Sequence, residues 1–196
     1  MAQEQLIHFL QNSGRVNAAQ AAEIAGNFTR KTINKNALLL QPGRVSDEYL
    51  FVDSGLIRAF VHDVDGQEVT TSFYSSGQVA FEVSSFFNRT PSQEYLQALT
   101  DSTGWHITYE QLNALFHSRP EFREFGRSVL VRALTSLKAR MLDQITEPAA
   151  SRYEKLVQTN PEIVQHAPLK YVASYLGVTD TSLSRIRAGA RHPSNP

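Results

Sequence analysis

Leu169-Lys170-Tyr171-Val172-Ala173-Ser174-Tyr175-Leu176-Gly177-Val178-Thr179-Asp180-Thr181-Ser182-Leu183-Ser184-Arg185-Ile186-Arg187 is the stretch whose reading decides the fold of this chain. It predicts two short helices joined by a tight turn. Val172, Ala173 and Leu176 fall on one side of the first helix, and Gly177 supplies the left-handed residue that ends it. Thr179 can cap the second helix by accepting an N–H from Thr181 or Ser182. That second helix keeps only Leu183 and Ile186 for an interior, and at about 100° per residue its opposite side carries Thr181, Ser184, Arg185 and Ala188.

A small residue on the first helix, a glycine four positions later and apolar residues at the flanking slots resemble the helix-turn-helix of bacterial regulators. Ala173, Gly177, Val172, Leu176, Val178, Leu183 and Ile186 fill those slots. Hydroxyls, a small residue and an arginine suit a helix entering a major groove, where Arg185 can grip a guanine or a phosphate. The resemblance implies a DNA-contacting set of Lys170, Thr179, Asp180, Thr181, Ser182, Ser184, Arg185, Arg187 and Arg191, with Lys170, Arg187 and Arg191 placed for phosphates. The residues alone also allow an ordinary helical hairpin with a polar outer face. Because Ala188 to Pro196 is short, the β-hairpin wing that usually follows is not expected, nor are its backbone contacts.

Upstream, Pro120 stands where a first-turn proline opens a helix, and Pro148 disfavours helical backbone at Glu147. Between them Phe122, Phe125, Val129, Leu130, Leu134, Leu137, Met141 and Ile145 recur mostly at steps of three and four. A helix of about 27 residues spans about 40 Å, more than an ordinary globular helix. Leu130, Leu134, Leu137 and Met141 are the expected seam with a second copy. The alternative is a helix lying wholly on its own domain. Short helical pieces follow at Ala149 to Thr159 and around Glu162 to His166.

Residues Arg30 to Thr108 have a different texture: short runs rich in Val, Ile, Phe and Tyr, punctuated by Pro42-Gly43, Ser54-Gly55, Asp65-Gly66 and Ser76-Gly77. Turn signals at such intervals predict a β-sandwich or barrel. Asp65-Gly66 predicts a tight hairpin between Ala59-Phe60-Val61 and Val69-Thr70-Thr71. Gln3 to Ala25 reads as helical packing, with Leu6, Phe9, Leu10, Ala18, Ala21, Ala22 and Ile24 at helical intervals.

Tyr49-Leu50-Phe51-Val52-Asp53-Ser54-Gly55-Leu56-Ile57-Arg58-Ala59-Phe60-Val61 resembles the strand-turn-strand of cyclic-nucleotide-binding domains. The order of roll, long helix and helix-turn-helix is that of the Crp/Fnr superfamily of transcription regulators. The expected fold is therefore α+β: residues 1–118 as N-terminal helices and a double-stranded β-helix, or jelly-roll, domain resembling the cyclic-nucleotide-binding type; 119–147 as the dimerisation helix; 148–196 as an all-α helix-turn-helix domain without a clear wing. The function so implied is DNA-binding transcription regulation by a homodimer on a palindromic site, controlled by an unknown effector or by none. It admits RNA polymerase as a further partner. The alternative is a ligand-sensing or protein-interaction module whose helix-turn-helix no longer binds DNA.

Family members that hold cyclic nucleotides use a Gly-Glu-Leu turn and a closing Arg-Ser or Arg-Thr pair. Glutamate takes the ribose hydroxyl and arginine the phosphate. Here Glu82 matches the glutamate, Phe81 replaces the glycine, and Ser92 and Gln93 stand at the arginine and its neighbour; Arg89 comes three residues early. The implied effector pocket comprises Phe81, Glu82, Val83, Ser84, Ser85, Arg89 and Ser92. Cyclic AMP is not expected in it, because a buried phosphate without its guanidinium forfeits about 1.5 to 3 kcal/mol per charge-assisted bond.

Composition agrees. Among 196 residues, 41% hydrophobic, there is no cysteine, which removes disulfides, thiolate metal sites and cysteine nucleophiles. Residues 1–118 hold 7 Lys/Arg and 12 Asp/Glu, and 119–196 hold 12 and 7, so a net charge of +0 conceals an acidic half and a basic half, as a sensory module joined to a nucleic-acid module would show; uneven sampling of surface charge is the alternative. No apolar run is long enough for a membrane, no signal peptide is visible, and a cytoplasmic protein is expected. His8, His62, His106, His117, His166 and His192 are scattered, and no Gly-x-Ser-x-Gly, phosphate-loop or His-Glu-x-x-His pattern occurs. Neither a metal site nor an enzyme is expected. Trp105, Phe86 and Phe87 read as core or pocket wall.

Overall fold

The computed structural model describes residues 3–12 and 14–191. Two short helices, α1 (Glu4–Gln11) and α2 (Ala18–Ala25), precede the strands. The single helical stretch expected there is broken by Gly14 at φ +66°, after which Asn17 and Gln20 form a reciprocal capping box that restarts the helix. Apolar faces of both helices cover the roll, where Leu6, Leu10, Ala21 and Ile24 join Phe51, Trp105, Phe122 and Phe125 in one core.

Eight strands follow: β1 (Thr29–Ile33), β2 (Leu38–Leu40), β3 (Glu48–Ser54), β4 (Ile57–His62), β5 (Glu68–Tyr74), β6 (Val79–Ala80), β7 (Tyr95–Ala98) and β8 (Ser102–Thr108). They form two antiparallel four-stranded sheets, ordered β1-β8-β3-β6 and β2-β7-β4-β5. The hairpin expected at Asp65-Gly66 joins β4 to β5, with Val61 opposite Val69 and Gly66 at φ +76°. By contrast β3 and β4 lie in different sheets, and Gly55 is the corner between them. At φ +99° a side chain there would be strained, and a Cβ would lie 2.2 Å from Ser102 Oγ.

Helix α3 (Val83–Asn88) interrupts the strands, and α4 (Tyr109–Ser118) ends the roll with a capping box from Thr108 and Gln111. Helix α5 (Pro120–Thr146) runs between the prolines as expected, with Glu147 as its C-cap. Only its first two turns are buried, through Phe122, Phe125 and Gly126. Beyond them Val129 still packs against the roll and Arg140 returns to it at the Thr71 carbonyl, while the apolar side chains between and after are exposed.

Helices α6 (Ala149–Thr159), α7 (Pro161–His166), α8 (Leu169–Leu176) and α9 (Asp180–Arg191) follow among the described residues. Tyr153, Leu156, Ile163, Val172, Ala173, Leu176 and Leu183 pack together, and Leu56, Phe73 and Leu99 of the roll belong to the same cluster. The C-terminal helices are thus seated on the roll. Burying side chains of this size stabilises by about 1.5 to 3 kcal/mol each, which ties the two regions together.

Candidate functional site

The turn between α8 and α9 has the geometry that its residues dictate. Gly177 ends α8 at φ +68° and ψ 35°, with its N–H bonded to the carbonyls of Ala173 and Ser174. Thr179 Oγ1 accepts the Ser182 N–H at 3.2 Å and caps α9. Leu183 is fully buried and Ile186 packs beside it. This leaves Asp180, Thr181, Ser184, Arg185 and Ala188 exposed along one face.

Of the remaining expected DNA contacts, Ser182 and Arg187 are half-buried, and Lys170 is exposed with its ammonium 4.9 Å from the Tyr171 ring centre. Arg191 closes α9, and its side chain lies outside the described residues, as do His192 to Pro196. The face carries Arg185 and one carboxylate, Asp180, which sits at the positive end of the helix dipole.

The other side of α8 is consumed by the roll. Thr70 donates its N–H to Ser174 Oγ at 3.1 Å, Phe73 meets Tyr175 edge-on at 5.1 Å, and Arg140 of α5 donates to the Thr71 carbonyl while lying 4.8 Å from the Tyr175 ring. At the centre is Arg58 of β4, 1% exposed. Its guanidinium binds Glu68 at 2.5 Å and Gln97 at 2.9 and 3.1 Å, between the rings of Phe60 and Tyr171. Gln97 and Tyr171 come from far along the chain, so no local pattern announces them. The one available signal was an arginine inside the apolar run Leu56-Ile57-Arg58-Ala59-Phe60-Val61.

Leu130, Leu134, Leu137 and Met141 are exposed by 41%, 68%, 55% and 52%, as is Ile145 by 75%, along α5 beyond its first two turns. Seven-residue spacing from Leu130 to Leu137 and from Leu134 to Met141 places them on one stripe. An exposed apolar stripe of this length is unusual for the surface of a single chain.

In the roll, the residues expected around an effector form a closed polar network. The Glu82 carboxylate accepts the N–H groups of Ser84 and Ser85, at 2.9 and 2.7 Å, and so occupies the N-terminus of α3 itself. Ser85 donates to the Thr90 carbonyl and accepts the Ser46 N–H. Arg89, at φ +56°, donates to the Ser46 carbonyl at 2.8 Å, pairs with Asp47 at 2.6 Å and stacks on Tyr109. Ser92 is buried and spends its hydroxyl on Glu94 backbone atoms. Phe81 packs on Tyr49, Phe86 and Phe87, while Val83 is exposed.

Beside this cassette, Glu94 has its pKa raised by desolvation, with the Thr71 hydroxyl and Arg140 opposing and Glu82 adding to the rise. Tyr74 is pushed up to about 12 by burial and by the charges of Glu94 and Glu82. A cavity of about 420 Å³ opens at the mouth of the roll, lined by Leu38 to Gln41, Arg44 to Glu48, Leu50, Ala80 and Leu96. None of the seven expected effector residues lines it. Among the described residues no group of three or more His, Asp or Glu is placed to hold a metal.

Residues 30–119 match the family model of the cyclic nucleotide-binding domain. No curated protein sequence matches the chain. Among solved structures it is similar to FixK2 from Bradyrhizobium japonicum, with TM-score 0.71, 15% identity and 85% of each chain covered. It is also similar to the c-di-GMP-responsive global regulator CLP from Xanthomonas campestris, at TM-score 0.69 and 16% identity, over 90% of this chain and 93% of that one. A third similar structure is the catabolite activator protein of Thermus thermophilus, at TM-score 0.58 and 18% identity, over 94% and 88%. At these identities the likeness is one of fold.

Proposed function

We propose that this chain, which carries a cyclic nucleotide-binding domain over residues 30–119 and has the architecture of the Crp/Fnr regulators, is a cytoplasmic transcription regulator that binds double-stranded DNA as a homodimer. One observation carries the reading. Helix α9 is locked by Gly177, Thr179 and Leu183 so that Thr181, Ser184 and Arg185 face water on a single side, as a helix that enters a major groove requires. The exposed stripe of α5 supplies the self-complementary surface of a two-fold dimer. Two recognition helices related by that axis read an inverted repeat with half-sites about 34 Å apart, one helical turn. Among the described residues no helix is long and apolar enough to cross a membrane.

Cyclic AMP is not the effector in this reading. A cyclic phosphate entering the cassette would have to displace the Glu82 carboxylate from the Ser84 and Ser85 N–H groups, and would find Arg89 already paired with Asp47. Selection from random duplexes with the purified protein tests DNA binding: enrichment of an inverted repeat is the expected result. A folded, dimeric protein that enriches nothing would leave the interaction-module alternative.

A further inference from the structure

The 420 Å³ cavity lies in the range of small-molecule sites, and its position beside the cassette sets its chemistry. Its apolar lining comes from Leu39, Leu40, Leu50, Ala80 and Leu96 together with two exposed side chains, Leu38 and Val45. The polar residues at the mouth differ in how much of their charge is free. Asp47 is paired with Arg89, and Glu48 with Lys31. Arg44 lines the same mouth, is exposed, and has no hydrogen bond or ion pair from its side chain among the described residues.

The backbone that presents Arg44 is nonetheless fixed. Gly43 N–H bonds to the Ser92 carbonyl at 2.9 Å, Ser92 N–H bonds to the Arg44 carbonyl at 2.8 Å, and Val45 bridges Pro91. Ser46 is then tied to Ser85 and Arg89. The loop thus places one unpaired guanidinium at an open cavity that is part leucine and part polar, next to two carboxylates that are each paired with a cation. That combination suits an anionic head, most favourably a carboxylate taken in the planar fork of the guanidinium, on an apolar body that fills the leucine-lined wall.

We propose that this cavity is the effector site and that its ligand class is a small amphipathic organic acid, with Arg44 as the partner of its carboxylate. The assignment rests on the regulator reading above for the word effector, but not for the binding itself. Arg44 takes the anion from a loop that is bonded to the cassette through Ser92 and Ser85.

Titration calorimetry on the full chain, with n-octanoate as probe and octylamine and cyclic AMP as controls, tests the assignment. Octanoate should bind saturably at one site per chain, octylamine and cyclic AMP should give no saturable heat, and Arg44→Gln should weaken octanoate at least tenfold. Arg44→Lys should restore part of the affinity, and an unchanged melting temperature in both variants shows that the fold is intact. No saturable octanoate binding, equal binding of octylamine, or full affinity in Arg44→Gln would each overturn the proposal. Because DNA selection is read separately, an enriched palindrome alongside absent octanoate binding would remove the ligand assignment alone.

Discussion

The guanidinium carbon of Arg58 lies 3.4 Å from the ring centre of Tyr171, and 3.9 Å from that of Phe60 on its other side. Arg58 belongs to the roll and Tyr171 to the first helix of the helix-turn-helix, so a buried cation is shared between the two regions. Its remaining charge is met by Glu68 and Gln97, and Nη1 is left without a hydrogen-bond partner. A desolvated cation over an aromatic face contributes about 2 kcal/mol. Tyr171→Ala should therefore lower stability by about 1 to 2 kcal/mol and speed amide exchange in α8 and β5 together, whereas Tyr171→Phe, which keeps the ring, should leave exchange near wild type. Hydrogen exchange by mass spectrometry measures both, and an Ala variant with unchanged exchange would show that the ring does not hold α8 in place.

The same seam can be fixed covalently. Ser174 Oγ lies 3.1 Å from Thr70 N and 3.2 Å from Thr70 Oγ1, and the chain has no cysteine to compete. Hydroxyl oxygens this close leave room for a disulfide after a small shift. In the double variant Thr70→Cys, Ser174→Cys, mild oxidation should give an intramolecular disulfide, visible as a faster-migrating band that reductant removes. Dimers linked through these cysteines, with no internal bond, would contradict the docked arrangement.

Local chemistry explains which features were legible in the sequence. Gly177 as a left-handed stop, Thr179 as a cap, Pro120 as a first-turn residue and Gly66 in a hairpin each act within a few residues, and each stands where the sequence predicts it. The roll itself was legible as strands, but not the assignment of β3 and β4 to different sheets, nor the need for glycine at the corner, where Ser102 from far along the chain fills the space of a side chain. Arg89 reads as a stray phosphate partner until the 46–47 loop claims it. Nothing in the sequence singles out Arg44, because a free guanidinium is recognised only after every neighbouring carboxylate has been assigned.

The stripe on α5 fixes the next expectation. Leu134 is 68% exposed and Leu137 55%, so neither supports the fold of one chain. Wild type should scatter light as a dimer of chains of 21.9 kDa at micromolar concentration. Leu134→Glu combined with Leu137→Glu should yield a folded monomer, since paired carboxylates on each copy repel across a two-fold interface. A wild-type monomer at that concentration would refute the dimer.

Glu94 gives a pH dependence of unusual sign. Its carboxyl is pushed above the ordinary range chiefly by desolvation, so the folded state holds its proton more tightly than the unfolded state does. The stabilisation from this group is complete below the unfolded pKa and is lost as pH rises through the folded value. Glu94→Gln should accordingly raise the melting temperature near pH 7 and bring little change near pH 4. Melting curves at the two pH values decide it, and an equal effect at both would show that titration of Glu94 is not responsible.

Arg185 is the residue that tests the proposed contact of α9 with DNA. It is exposed on the same face as Thr181 and Ser184, and the cap at Thr179 and the buried Leu183 prevent that face from rotating away. If its guanidinium reads a base, Arg185→Ala should weaken binding to the selected site by about 1 to 3 kcal/mol and relax preference at one base pair in each half-site. If it holds a phosphate, the loss should be similar for every duplex, and the slope of log affinity against log salt should fall by about one unit. Competition binding on the selected palindrome and on single-base variants, repeated at two salt concentrations, separates these outcomes. Ala188, one turn further along the same face, serves as the control, since Ala188→Glu should abolish binding by placing a carboxylate against the groove while leaving the buried side of α9 untouched. Full affinity in both variants would mean that this face of α9 does not meet DNA.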